Sequence, residues 1–250
     1  TIKQTISLLI SLCAFVGTFY AVGKFMLLLS TPTKVQRQWV WLANLLDNKS
    51  LLETAFPYVT LDLAYISAFI VQHSFMKSNL WKQVLSSVGL DIAERSIYCL
   101  ASSYVLWYLV KNWQTIPTIA LWHVDVSDSP ALWWTFVLVH GLAWTIIYGG
   151  SIIMDLPEII GVKQVYYDMK NFLSPSYYKS NDLRNLYEHV RHPSFVGFLM
   201  VLWITNIMTL DRFLLAFMLS AYMYIAWSTT DIDVAYQRYQ LKRKRDELAR

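Results

Sequence analysis

Charged side chains stand at the ends of two neighbouring apolar runs of this sequence. Arg191, His192 and Pro193 directly precede one run, and Asp231 and Asp233 directly follow the next. Because proline suits the first turn of a helix, a helix that begins here would present free backbone N–H groups beside the cationic pair. That arrangement favours an anion, whereas the carboxylate pair favours an amine or hydroxyl groups. Together the two sets predict a site for a zwitterionic ligand.

Three further polar groups are predicted at the same membrane level: His73, Arg95 and Asp155. Polar groups at membrane depth are costly and often functional. Structural interpretations stay open: His73 as a hydrogen-bonded interfacial residue, Arg95 as an ion pair with Glu94, and the two aspartates as the end of a helix leaving the bilayer. The sequence shows no obvious nucleophile or general base, so the catalytic residues are unknown, and no metal site is expected.

The composition explains which elements must position these groups. The chain has 250 residues, of which 56% are hydrophobic, 16% aromatic and only 15% charged. Soluble domains usually carry about 25% charged residues, and aromatic rings favour a membrane interface. Its two cysteines suggest no disulfide framework. The predicted fold class is therefore an all-α polytopic membrane protein.

Apolar runs of the length that crosses a bilayer recur six times. A transmembrane helix needs roughly 20 apolar residues. The predicted spans lie near residues 5–29, 57–76, 95–111, 130–154, 194–210 and 213–230. Asp211 and Arg212 alone separate the last two, which predicts a tight antiparallel hairpin. Residues 1–233 would form a single transmembrane domain.

The distribution of positive charge predicts the orientation. With six spans, 15 of the 21 lysine and arginine residues fall on the side that holds both termini, and 6 fall on the other. Because positive loops stay on the cytosolic side, both termini should face the cytosol, or the nucleoplasm if the protein lies in the inner nuclear membrane.

Two polar segments are predicted to lie outside the bilayer. After Ser180, a good helix cap, the apolar positions of residues 181–190 recur at helical spacing and predict an amphipathic helix on the membrane surface. They are Leu183, Leu186, Tyr187 and Val190. Residues 234–250 should form a basic tail helix. Its Lys242-Arg243-Lys244-Arg245 run would contact anionic lipid headgroups, remain solvated, or act weakly as a nuclear-localisation signal.

Several of these segments resemble the nurim family. The likeness covers roughly Leu63 to Leu248 and rests on the following motifs: Gln72-His73-Ser74-Phe75-Met76, Glu94-Arg95-Ser96-Ile97-Tyr98, Val162-Lys163-Gln164-Val165-Tyr166-Tyr167, Val190-Arg191-His192-Pro193, Trp203, Asp211 to Phe217, and Asp231-x-Asp233. The resemblance implies a multi-pass resident of the inner nuclear membrane, with nuclear-envelope proteins as partners.

The run from Arg191 to Gly197 also resembles a motif of isoprenylcysteine carboxyl methyltransferases and bacterial membrane thiol methyltransferases. Those enzymes bind S-adenosylmethionine between this motif and an acidic pair, whose place Thr230-Asp231 takes here. A donor bound there would place its carboxylate on Arg191 or on the start of the fifth span, and its amine or ribose hydroxyls on Asp231 or Asp233. Its sulfonium would lie against carbonyl oxygens or an aromatic face such as Trp203, Tyr166 or Tyr187. The predicted cofactor site comprises Arg191, His192, Pro193, Asp231, Asp233, Gln164, Tyr166, Tyr187, His73 and Arg95.

Two functional hypotheses follow. The first is an S-adenosylmethionine-dependent membrane methyltransferase that acts on a thiol or carboxylate of a lipophilic acceptor. The second is a non-enzymatic protein of the nuclear envelope that keeps this fold without catalysis, because the acidic pair of the enzymes is weakened here. A transporter is disfavoured, since no charged or Gly/Pro-broken segment is predicted at mid-bilayer. Nothing in the sequence points directly to nucleic acid.

Overall fold

Long α-helices make up most of the described chain. The structure is a computed structural model, and it describes residues 2–31, 39–45, 47–126, 128–189, 194–227 and 230–249. In chain order its elements are α1 (Ile2–Ser30), β1 (Val40–Trp41), α2 (Lys49–Met76), α3 (Asn79–Ser87), α4 (Glu94–Lys111), β2 (Ile119–His123), α5 (Pro130–Ile153), α6 (Leu156–Ile160), α7 (Val162–Met169), α8 (Asn181–His189), α9 (Phe195–Trp203), β3 (Ile207–Thr209), α10 (Leu210–Ala226) and α11 (Asp231–Leu248).

Three of the described helices, α1, α2 and α5, are long and apolar enough to cross a membrane. They confirm three of the predicted helical runs. Helix α2 begins at Lys49, eight residues earlier than predicted, because the side chain of Asn48 caps it by accepting a hydrogen bond from the backbone N–H of Leu51 at 3.1 Å. A fourth crossing follows if α10 and α11, which meet at 90°, form one bent span.

Two further helices coincide with predicted spans but are more polar or shorter. Helix α4 has 18 residues, including three charged ones, and α10 has 17. At about 1.5 Å per residue each rises roughly 26 Å, which is close to the thickness of the hydrocarbon core. Six crossings therefore stay a prediction, whereas the helices in these two places are confirmed.

The predicted hairpin between spans 5 and 6 is wrong. Helix α9 has only nine residues and ends at Trp203. The chain then runs through residues 204–206 into strand β3, and Asp211 and Arg212 belong to α10 rather than to a turn. The stretch that follows Trp203 is rich in β-branched residues, which favour a strand wherever another strand offers backbone partners.

The backbone partners of β3 come from strand β2, which also pairs with β1, so the all-α description was incomplete. Strand β2 lies between β1, which is parallel to it, and β3, which is antiparallel. The backbone N–H of Val124 extends this pairing by donating to the carbonyl of Asn206 at 2.7 Å. The indole of Trp122 donates to the carbonyl of Thr205 at 3.0 Å. We call the end of the bundle that carries these strands the sheet end.

The opposite end carries the shorter helices, and we call it the tail end. It comprises α3, α6, α7, α8, α11 and the N-terminal end of α1. Gln4 of α1 donates to the carboxylate of Asp168, in the last turn of α7, at 3.4 Å. The predicted surface helix and the predicted tail helix are both confirmed as helices, α8 and α11. Val190 lies outside the described residues.

An apolar core between α1, α2, α4, α5, α9 and α10 joins the two ends. Its buried residues include Ile66, Leu109, Ala143, Val201 and Leu215. Many large apolar side chains point outward instead, such as Leu138 at 67% exposure and Ile225 at 75%. So many exposed large apolar side chains suit a lipid environment and would be unusual for a protein surrounded by water.

Candidate functional site

The positive half of the predicted site, Arg191, His192 and Pro193, lies outside the described residues. The structure describes the rest of that motif. Ser194 precedes α9, and the buried Gly197 lies directly against α5. A Cβ atom at position 197 would lie 2.7 Å from the carbonyl oxygen of Ala143. The glycine of the motif therefore allows close packing of α9 on α5.

The acidic half of the predicted site begins α11. Asp231 is exposed, whereas Asp233 is buried with 1% of its surface accessible. One carboxylate oxygen of Asp233 accepts hydrogen bonds from the backbone N–H and the hydroxyl of Thr230, each at 2.8 Å. The hydroxyl of Thr230 in turn accepts from the backbone N–H of Asp233 at 3.3 Å, which completes a capping box.

The second carboxylate oxygen of Asp233 contacts His189, a residue that the sequence analysis did not single out. The Nδ1 atom of His189 lies 2.8 Å from this oxygen, and the imidazole ring packs on Tyr236 with centroids 4.7 Å apart. The amide of Gln237 also donates to the backbone carbonyl of His189 at 3.4 Å. His189 thus ties the end of α8 to the start of α11. In the sequence, only its position two residues before Arg191 indicated that His189 could belong to the predicted site.

A groove lies between α8 and α11 and encloses about 760 Å³. Leu183 and Leu186 of α8 form part of its wall, and Tyr236 and Leu241 of α11 form another part. Polar groups, including Gln237 and Gln240, complete the lining. The volume falls in the range of small-molecule sites. On α11 the described lining begins at Tyr236, so it includes neither Asp231 nor Asp233.

Two ion pairs organise the segment after α5. Lys163 of α7 donates a short hydrogen bond to the carboxylate of Asp155, which caps α6 in a left-handed conformation with φ of 61°. Lys179 lies 2.6 Å from the carboxylate of Glu158 and 4.0 Å from the centre of the Tyr187 ring. The hydrogen bond from Lys163 to Asp155 raises the pKa of Lys163, so this amine is charged at neutral pH.

Three residues that were predicted to bind the methyl donor belong to the same segment as these ion pairs or to α8. Tyr187 donates its hydroxyl to the carbonyl of Ile153 at 3.0 Å, and burial, followed by the negative charge of Asp155, raises the pKa of Tyr187. Gln164 donates to the carbonyl of Glu158 at 3.0 Å. Tyr166 is instead half exposed, with 50% of its surface accessible. Tyr187 and Gln164 thus serve the packing of the tail end.

Arg95 links α4 to the same segment. Its Nε donates to the carbonyl of Ile159 at 3.1 Å. The neighbouring Glu94 faces Lys82 of α3 at 4.0 Å. The interpretation of Glu94 and Arg95 as an ion pair with each other was therefore wrong, because adjacent residues on a helix point in different directions.

His73 belongs to a separate polar network between α2, α4 and α10. Its Nε2 lies 2.5 Å from the hydroxyl of Tyr98, and its Nδ1 lies 3.3 Å from the hydroxyl of Ser102. Ser74 donates to the hydroxyl of Tyr222 on α10 at 3.2 Å. These contacts agree with the structural interpretation of His73. Among the described residues they do not reach Asp233, so the predicted ligands do not converge on one point.

A second polar network, at the sheet end, was missed. Asp211 accepts from the indole of Trp113 at 3.0 Å and from the backbone N–H of Ile116 at 3.1 Å. Asp62 of α2 accepts from the backbone N–H of Gln114 at 3.0 Å, and both aspartates are buried. Each acidic residue interrupts an apolar run, which was the signal that a buried partner exists.

Another tie at the sheet end is built around His140 of α5. Its Nδ1 lies 2.8 Å from the hydroxyl of Ser30 and its Nε2 donates to the carbonyl of Ile204 at 2.7 Å. The indole of Trp144 also donates to Ser30 at 2.7 Å. Within the residues that the structure describes, no group of three or more His, Cys, Asp or Glu side chains is placed to hold a metal ion.

The described residues fit a methyl donor only incompletely. Asp231 and Tyr166 are exposed and accessible to a ligand, whereas Asp233 is buried between Thr230 and His189. A methyl donor that bound to Asp233 would have to displace its hydrogen bonds with Thr230. Those hydrogen bonds also cap the start of α11. Binding of S-adenosylmethionine therefore stays a prediction, and no chemical step is derived through it.

The long apolar helices, the outward-facing apolar side chains and the polar networks at both ends define an α-helical membrane protein. Comparison with known proteins places it more closely. The chain is 56% identical to the nurim homolog of Drosophila pseudoobscura pseudoobscura, covering 99% of this chain and 98% of that protein. It is 52% identical to the nurim homolog of Drosophila melanogaster with the same coverage, and 37% identical to nurim of Danio rerio over 74% of this chain and 68% of that protein. The chain belongs to the nurim family.

Two other comparisons gave no match. No family model matches the chain, and no solved structure matches it.

Proposed function

We propose that this chain is a multi-pass protein of the inner nuclear membrane whose role is structural rather than catalytic. Its membership of the nurim family and its three long apolar helices support residence in a membrane. The observation that carries the structural role is the engagement of the polar side chains that sequence reasoning assigned to a donor. Asp233, Gln164, Tyr187, Arg95 and His73 all use polar atoms in contacts within the protein.

These contacts join different helices rather than lining one pocket. Asp233 joins α11 to α8, and Tyr187 joins α8 to the end of α5. Arg95 joins α4 to α6. Of these contacts, that of Asp233 is made by a buried carboxylate, and removing one partner from a buried charged contact costs roughly 3–5 kcal/mol. A ligand that used Asp233 would have to offset this cost. The tail end is therefore best explained as a scaffold.

Localisation in cultured cells tests this proposal. The full chain would carry a tag at each terminus, and cells would be opened either with digitonin, which spares the nuclear envelope, or with a detergent that opens all membranes. We expect a nuclear rim in which neither tag is reached after digitonin and both are reached after complete opening. A reticular pattern in which digitonin exposes the tags would contradict residence in the inner nuclear membrane. An endoplasmic reticulum protein with a cytosolic tag is the control.

A second candidate function is an S-adenosylmethionine-dependent membrane methyltransferase. The groove between α8 and α11 favours it, because its volume falls in the range of small-molecule sites. When bound, the donor would supply an electrophilic methyl group to a thiol or carboxylate of a lipophilic acceptor. The protein would hold the two reactants in line and exclude water.

Calorimetry with S-adenosylmethionine and S-adenosylhomocysteine separates the two candidates. Binding to the purified full chain that is lost in Arg191→Ala and Asp231→Ala would support the methyltransferase. Asp246→Ala is the matched control, since Asp246 is also an exposed aspartate of α11. A folded wild-type protein that binds neither compound would exclude this candidate and leave the structural role.

A further inference from the structure

We infer that the face of α11 turned away from α8 binds the anionic phospholipid surface of the protein's own membrane. Helix α11 carries five basic residues after its first two turns: Arg238, Lys242, Arg243, Lys244 and Arg245. Between Arg238 and Leu248 only Asp246 and Glu247 oppose them. The inference does not depend on the proposed function, because a basic surface of this kind suits an enzyme or a scaffold equally.

The basic residues divide between two faces of the helix. Arg243 faces α8, since it lies 3.9 Å from Asp182, and it also donates to Glu247 at 3.0 Å. Lys244 donates to the same glutamate at 3.2 Å. With 3.6 residues per turn, Arg238, Lys242 and Arg245 form a stripe on the other side. The whole stripe is exposed.

Large exposed apolar side chains border this stripe on both sides. Ile232, at 70% exposure, and Tyr239, at 61%, lie along one edge. Leu241, at 71%, and Leu248, at 87%, lie along the other. A nucleic-acid backbone would recognise the cations but leave these side chains in water. A bilayer surface accepts both, because the cations contact headgroup phosphates while the apolar groups enter the acyl boundary.

The direction of α11 agrees with this partner. It meets α10 at 90°, so if α10 crosses the membrane then α11 runs along its surface. Long basic side chains on such a helix can reach the headgroups while their methylene stems cover apolar surface. Each lysine or arginine near an anionic surface strengthens the association by about fivefold. Three cations on one stripe are therefore enough for α11 to bind an anionic membrane surface much more strongly than a neutral one.

Hydrogen exchange of the full chain in nanodiscs tests the inference. One set of discs would contain phosphatidylcholine alone, and the other would contain about one third phosphatidylserine. We expect the amides of residues 238–248 to exchange about tenfold more slowly in the anionic discs. About 1 M salt should remove the difference, because it shortens the screening length to roughly 3 Å.

Two double variants locate the binding face. Arg238→Gln with Arg245→Gln should abolish most of the difference between the two kinds of disc. Arg243→Gln with Lys244→Gln removes the same charge from the other side and should preserve it. A general loss of helix stability would speed exchange in both discs and leave their ratio unchanged, so folding defects are recognised.

Three results would overturn the inference. The first is equal exchange of α11 in neutral and anionic discs. The second is an equal loss of the difference in both double variants, which would show that only total charge matters. The third is protection of the stripe by a short DNA duplex in neutral discs without protection by phosphatidylserine, which would make this face a nucleic-acid surface.

Discussion

Asp231 and Asp233 show how much the surroundings of a side chain decide its role. The two residues have the same chemistry and lie in the same first turn of α11, where a negative charge stabilises a helix. Asp231 is exposed, whereas Asp233 is buried and contacts both Thr230 and His189. The second aspartate therefore holds α11 against α8, and the first remains accessible to a ligand.

Substitution of each aspartate by alanine should separate these roles. Asp233→Ala removes the capping contact and leaves His189 without its carboxylate, which should destabilise the α8–α11 contact by about 2–4 kcal/mol. Asp231→Ala removes only a charge at the helix start and should cost less than about 1 kcal/mol. Hydrogen exchange of the first turns of α11 in detergent micelles measures both. Similar protection in the two variants would disprove the structural role of Asp233.

At the scale of elements, the packing of α9 on α5 explains the glycine in the motif that begins at Arg191. Helix α9 is short and strongly apolar, and Gly197 is the point at which it meets the backbone of α5. Small residues allow membrane helices to approach closely, since dispersion contacts replace the hydrophobic effect there. A motif residue that resembles part of a cofactor site thus has a packing role in this protein.

Two glycine substitutions test this packing. Gly197→Ala would place a Cβ atom 2.7 Å from the Ala143 carbonyl oxygen and 2.8 Å from Ile147. The two helices would have to separate, which should destabilise the protein by about 1–3 kcal/mol. Gly141 lies in α5 with nothing within 4 Å of its added Cβ. Gly141→Ala should be neutral or stabilise by up to about 1 kcal/mol.

The thermal midpoint of each glycine variant in the same detergent is the measurement. A lower midpoint for the Gly197 variant alone would confirm the close contact. Equal midpoints would show that α9 can move away from α5 without cost.

Across the whole molecule, polar networks at both ends fasten an apolar core. The tail end uses ion pairs and the cap of α11, and the sheet end uses buried aspartates and three short strands. Asp211 is central to the sheet end because it joins α10 to the segment between α4 and β2 through Trp113 and Ile116. Loss of this contact should lower the stability of the whole protein and not only that of one helix.

Asp211→Ala should lower the stability of the whole protein by about 3–5 kcal/mol, because the buried N–H of Ile116 and the partly buried indole of Trp113 would lose their acceptor. Asp211→Asn retains one carbonyl acceptor and should cost less. Asp128→Ala is the control, since Asp128 is exposed just before α5. Loss of helical circular dichroism on titration with a denaturing detergent reports the change. An Asp211→Ala variant as stable as the control would rule out a central role for this contact.

The sequence by itself determined the helical part of this protein. Residues 2–30, 94–111 and 130–153 follow the predicted spans closely, because a long apolar run is a local property and a membrane requires its backbone to bond within the helix. Helices α8 and α11 were also predicted, since caps and helical spacing act within a few residues. Family resemblance was likewise carried by short motifs, and the comparisons confirmed it.

Tertiary structure alone decided the strands and the state of each polar side chain. Strand β2 pairs with β3 across 84 to 89 positions of the chain, and Asp211 reaches Trp113 across 98 positions. His189 and Asp233 meet across 44 positions. Such contacts depend on where distant segments lie when the core packs, so a local pattern can indicate that a partner exists but cannot identify it. The same reason explains why an acidic pair predicted to bind a ligand became one exposed residue and one buried helix cap.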